Sequence, residues 1–109
     1  MSQVIIQKTG PLPVSAVVPW PSTDTVLVAV SGSVWSKTPA TMVVMNVNIN
    51  DKTIGTMQIW ANEASMHLML PTGFFPVTGG YGDTTVTLSA ANGTTVSDSN
   101  DTFTVALIF

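Results

Sequence analysis

The chain has 109 residues, of which three are basic (Lys8, Lys37, Lys52), six acidic and none cysteine, giving a formal net charge of −3. The charged fraction of 8% lies far below the roughly 25% of an ordinary soluble domain, yet 45% of the residues are hydrophobic. With no arginine and so few lysines the chain cannot neutralise a run of phosphates, which excludes nucleic acid and an anionic membrane surface as partners. The absence of cysteine excludes a disulfide framework, a thiolate nucleophile and a thiolate metal site.

The length leaves room for one domain, expected to span residues 1–109, with residues 1–24 as an N-terminal strand and a Pro-rich connection. The first residues, Met-Ser-Gln-Val-Ile-Ile-Gln-Lys, lack the basic and apolar regions of a leader. The longest apolar run, Val26 to Val30, falls well short of the roughly 20 residues that span a bilayer. The expectation is a soluble chain without membrane insertion; its location stays open, with an extracellular or virion-associated place, reached without a classical signal peptide, as one option.

Thr, Val, aromatic residues, Gly and Asn dominate, and helix formers are scarce, which is strand chemistry. Val4 to Lys8 reads as a short edge strand. Gly10 to Ser22 carries Pro11, Pro13, Pro19 and Pro21 and reads as an irregular connection, because proline donates nothing to a ladder. Thr25 to Trp35 places Val26, Val28 and Val30 on one face, with Gly32 expected at a bend or bulge.

Thr41 to Asn50 sets Val43, Met45, Val47 and Ile49 against Val44, Asn46, Asn48 and Asn50, the pattern of a half-exposed antiparallel strand. Asn50 to Thr53 is a tight-turn sequence, and Thr56 to Trp60 returns from it. Met66 to Leu70 alternates until Pro71. Thr84 to Ala90 alternates Val86, Leu88 and Ala90 with Thr85, Thr87 and Ser89. Asn92-Gly93 predicts a hairpin turn. In the final strand Phe103, Val105, Leu107 and Phe109 alternate with Thr102, Thr104, Ala106 and Ile108. Both of its faces are largely apolar, which places it in the middle of a sheet or against another subunit. Short antiparallel strands in a chain of this length predict an all-β, two-sheet sandwich.

The order of these pieces carries a resemblance. A long strand ends in Gly-Ser-Val-Trp. MNVNINDKTIGTMQIW, ANEASMHLMLP, SAANGTT and SDSNDTFTVALIF follow. Over about residues 25 to 109 the chain resembles the jelly-roll domain of the complement and tumour-necrosis-factor class, in its small bacterial and phage versions. The resemblance implies a ten-stranded antiparallel jelly-roll sandwich, a compact homotrimer, and a binding surface on top or between subunits. The loops here are shorter than in that family, so the implied surface is small.

Candidate chemistry is sparse. His67 is the single histidine and reads as a packed or interface residue. The Ser and Thr hydroxyls have no general base beside them in sequence, so no catalytic residue and no enzyme activity is expected. Asp98-Ser99-Asn100-Asp101 is rich in the oxygen ligands that calcium takes, but lacks the Gly and Glu spacing of a calcium loop and reads as an Asx turn. No metal or cofactor is therefore expected. Asn92-Gly93-Thr94 and Asn100-Asp101-Thr102 match the glycosylation acceptor pattern but read as turns.

Two clusters pair an aromatic ring with polar groups: Trp60, Asn62 and Glu63, and Tyr81 with Asp83. A ring packs on the C–H face of a sugar while a carboxylate or amide takes its hydroxyls. Against this, Trp60 could cover a sheet face and Tyr81 cap a loop. Trp20 and Trp35 have weaker polar company. Two readings follow. One is a non-catalytic, lectin-like trimer binding a neutral glycan or a glycosylated surface receptor. The other is a structural capsid, spike or fibre component whose work is assembly alone.

Overall fold

The computed structural model describes all of residues 1–109. Ten strands follow one another: β1 (Ser2–Thr9), β2 (Val14–Pro19), β3 (Val26–Ser36), β4 (Thr41–Ile49), β5 (Lys52–Ala61), β6 (Leu68–Met69), β7 (Gly73–Val77), β8 (Asp83–Ala90), β9 (Thr95–Val96) and β10 (Thr102–Ile108). They form two antiparallel sheets. The first has the order β1-β10-β3, with β6, β7 and β9 all pairing along β3; the second has the order β2-β8-β4-β5. Most connections cross from one sheet to the other, the exceptions being β4–β5, β6–β7 and β9–β10, and such crossing connections are those of a jelly roll. No helix is long and apolar enough to cross a membrane.

The alternation read from the sequence sets the core. Val26, Val28, Val30, Val43, Met45, Val47, Val86, Leu88, Phe103, Val105 and Leu107 are all fully buried between the sheets. The opposite phases of the same strands face outward. β10 lies between β1 and β3, the central position expected, but no element covers its outward residues, and Ile108 and Phe109 remain exposed.

Four local expectations change. Val14–Pro19, expected to be irregular, forms β2 and pairs with β8 from Val14↔Leu88 to Pro19↔Asp83. It is tolerated because β2 is the sheet's edge and has a ladder on one side only. Gly32 is no bulge: it closes the regular β3–β10 register, opposite Phe103. A Cβ there would lie 2.5 Å from the Phe103 ring, so this glycine serves close packing. Met66–Leu70 contributes only Leu68–Met69 as strand, while β7 and β9 were not legible. Asn92-Gly93 does not close a hairpin, because β8 and β9 belong to different sheets. Instead the Asn92 Oδ1 accepts from the Thr95 amide (2.9 Å) and hydroxyl (2.6 Å) as the chain crosses over. The Asn50–Asp51 turn is as expected, with both residues at positive φ (48° and 67°), the requirement of a two-residue hairpin.

Candidate functional site

The molecule measures 43 × 23 × 21 Å, and its two ends carry different chemistry. Ile49 lies at the last position of β4 and Met42, paired with Trp60, near the first. At about 3.3 Å per residue these positions are some 23 Å apart. The two aromatic clusters named from the sequence are therefore not brought together.

At the Ile49 end the loops 20–25, 50–51 and 77–82 converge. The Trp20 amide donates to the Gly82 carbonyl (2.9 Å), the Gly79 amide to Thr23 (2.9 Å) and the Asn50 amide to Thr85 (2.9 Å). The Asn50 side chain accepts from the Thr85 amide at 2.9 Å. These bonds hold open a cavity of about 400 Å³ lined by residues that include Trp20, Ile49, Val77, Gly80, Tyr81 and Thr84. Trp20 is 8% exposed, and its indole N–H has no hydrogen-bond partner. Gly80 makes room for that indole, since a Cβ there would lie 2.6 Å from the Trp20 Nε1. Tyr81 stands at the opening, 80% exposed. No charged side chain lines the cavity. Asp83, the first residue of β8, is exposed and does not line it.

At the other end Trp60 is 51% exposed, and its indole N–H donates to the Asn62 Oδ1 at 2.9 Å. Asn62 is further held through its carbonyl, which accepts from the Ala40 amide. Glu63 is exposed beside them. The connection 62–67 then crosses from β5 in the second sheet to β6 in the first, and brings His67 to the 97–101 turn.

That turn is the Asx turn expected: the Asp98 Oδ1 accepts from the Asn100 amide (2.8 Å). His67, however, is not packed away. It is partly exposed, its Nδ1 lies 2.8 Å from the Asp101 Oδ1 and its Nε2 3.8 Å from the Asp98 Oδ2. Asp101 is fully buried; it also accepts from the Ser33 hydroxyl (2.8 Å) and the Asp98 amide (2.9 Å). The hydrogen bond to Asp101 is the chief reason the His67 pKa is raised, with the charges of Asp101 and Asp98 adding to it against partial desolvation. The Trp35 ring tilts against the imidazole at 5.9 Å, and its own N–H is buried without a partner.

Two features escaped the sequence reading. The weight of Trp20 was underestimated because its cavity is made by loops distant in sequence. The grouping of His67, Asp98 and Asp101 was missed although a signal existed: Asp101 continues the inward phase of Phe103, Val105 and Leu107. A carboxylate in that phase is buried and needs partners, and one histidine is available to supply a cationic one.

No family model and no curated protein matches the chain. Among solved structures it is similar to the CBM36-1 domain of a multidomain xylanase from the hindgut metagenome of Trinervitermes trinervoides, with a TM-score of 0.57 and 12% identity over 100% of this chain and 98% of that one. At that identity the likeness is one of fold: a jelly-roll-like, all-β sandwich.

Proposed function

We propose that this chain is a non-catalytic, lectin-like binding module that recognises a neutral glycan, such as one on a glycosylated surface receptor. The observation that carries this reading is the uncharged cavity walled by the buried Trp20 ring, with the exposed Tyr81 ring at its opening. An exposed ring beside it offers a stacking face, and the lack of lining charge suits an uncharged ligand. The fold likeness to a carbohydrate-binding domain supports the same reading. Asp83 precedes the lining residue Thr84 in the chain but is not itself part of the lining. Trp60 with Asn62 and Glu63 forms a second, shallower platform whose indole N–H is already engaged.

We also propose a homotrimer, with copies meeting on the outer face of the first sheet. Register sets Val4, Ala106, Ala29 and Phe74 side by side across β1, β10, β3 and β7. Val4 and Phe74 are 58% and 57% exposed, and this row bears no charge. Three weak sites on one rigid assembly would gain by avidity. Light scattering tests the assembly, with an expected mass near three times 11.4 kDa; a monomer at micromolar concentration removes it.

The glycan reading is tested by array screening followed by calorimetry. Tyr81→Ala and Trp20→Phe abolish or strongly weaken binding while the melting temperature and oligomer persist. If no neutral glycan is retained, the assembly reading takes over, with the protein a structural component.

A further inference from the structure

We infer that His67 and Asp98, backed by Asp101, form a site for a divalent transition-metal ion of the zinc class, at the end of the sandwich away from the Trp20 cavity. The inference does not depend on glycan binding.

The ligand atoms of these three residues all lie within 4.8 Å of one another. Their roles are distinguished by burial. Asp101 is completely buried and anchored by the Ser33 hydroxyl and the Asp98 amide. One of its oxygens faces the His67 Nδ1 at 2.8 Å, so a proton on Nδ1 is held there and the lone pair resides on Nε2. A buried carboxylate that fixes the imidazole in this way, and raises its basicity, is the arrangement found behind metal-bound histidines.

The Nε2 then faces the Asp98 Oδ2 across 3.8 Å, at a partly exposed position. Two ligands of a tetrahedral ion with bonds of about 2.0–2.2 Å stand roughly 3.4 Å apart, so an ion fits between them after a shift of a few tenths of an ångström. The other Asp98 oxygen is tied to the Asn100 amide at 2.8 Å, which limits the carboxylate's rotation and leaves Oδ2 as the free donor. The open side admits water to complete the coordination. An imidazole ligand selects zinc and its neighbours, whereas calcium and magnesium take oxygen. The ion would join the 62–67 connection to the 97–101 turn, segments that otherwise meet through His67 and its two carboxylates. Binding to the folded state alone then stabilises the protein by mass action.

The test uses chelator-treated full-length protein and Zn²⁺ alone, followed by calorimetry and thermal melting. Ca²⁺ and Mg²⁺ serve as comparators and Co²⁺ as a spectroscopic probe. The expected result is one Zn²⁺ per chain, a melting temperature that rises with Zn²⁺ concentration, and a Co²⁺ absorption band of low-coordinate nitrogen–oxygen ligation. Asp98→Asn, at a partly exposed position, should fold normally and lose at least tenfold in Zn²⁺ affinity; His67→Gln should lose as much, with a lower melting temperature because the buried Asp101 loses its cationic partner. Asp101→Asn, if it folds, should weaken binding about 10–100-fold through imidazole orientation. Equal Zn²⁺ binding by wild type and His67→Gln overturns the proposal. So does binding of Ca²⁺ in preference to Zn²⁺. A melt that responds to pH but to no metal also overturns it, leaving the cluster as a proton-held clamp.

Discussion

At one end of the sandwich the Trp20 indole N–H is buried beside an open cavity with no partner. At the other, the equally buried Asp101 carboxylate faces three donor groups, from Ser33, Asp98 and His67. The ends differ in charge as well: none lines the cavity, whereas three titratable side chains meet at His67. An open space lined by uncharged groups and an exposed ring suits a ligand; a carboxylate with three donors suits structural support, with only the exposed His67–Asp98 edge left to bind. Burial by itself therefore does not distinguish a binding residue from a structural one. What distinguishes the two ends is the open, uncharged space beside Trp20; an unpartnered buried N–H does not, since Trp35 beside His67 has one too.

This contrast can be broken by substitution. The largest expected effect lies in the core both ends share. Phe103→Ala should cost about 3–5 kcal/mol, because Gly32 supplies no side chain to fill the space under the ring. Chemical denaturation measures it, and an unchanged midpoint would show that the ring contributes no packing.

Next comes Asp101→Asn. It removes the carboxylate charge and forces a mismatched donor among the Ser33, Asp98 and His67 groups, and should cost about 1–3 kcal/mol. Glycan affinity should be untouched, since the cavity lies at the opposite end. Parallel loss of glycan binding in a folded variant would contradict the separation of the two ends.

Tyr81→Ala and Gly80→Ala should behave in the reverse sense. Tyr81 is exposed, so its truncation should change stability by within about 0.5 kcal/mol while glycan binding disappears. Gly80→Ala drives a methyl toward the Trp20 Nε1 and should block the cavity. Trp60→Ala should have a smaller effect on binding, and an equal one would move the principal site to the other end.

The smallest effect concerns pH in metal-free protein. Because the His67 pKa is raised by its hydrogen bond to Asp101, its contribution to stability is complete below the ordinary value of about 6.5. It is lost as pH rises through the folded-state value. Melting temperature should therefore fall modestly over that range, and His67→Gln should flatten the dependence. A melt that instead improves with rising pH would show that His67 is neutral in the folded state.

Period-two alternation of Val, Met, Leu and Phe against Thr, Asn and Ser was enough to predict an all-β sandwich and to name the inward residues of β3, β4, β8 and β10. The reason is local: side chains of one strand point alternately to two faces, and burial of either face follows from composition. The Asn50–Asp51 turn was legible for a similar reason, since few residue types tolerate two consecutive positive φ angles. Strands β2, β7 and β9 were not, because an edge strand with prolines and a two-residue strand exist only by virtue of the neighbour they pair with. The candidate site divides along the same line. Tyr81 and Trp60 could be named from residue type. The Trp20 cavity and the His67–Asp98–Asp101 cluster were decided by the folded structure, because each joins loops that are 25 or more residues apart, and such encounters depend on the order of strands in two sheets rather than on any local pattern.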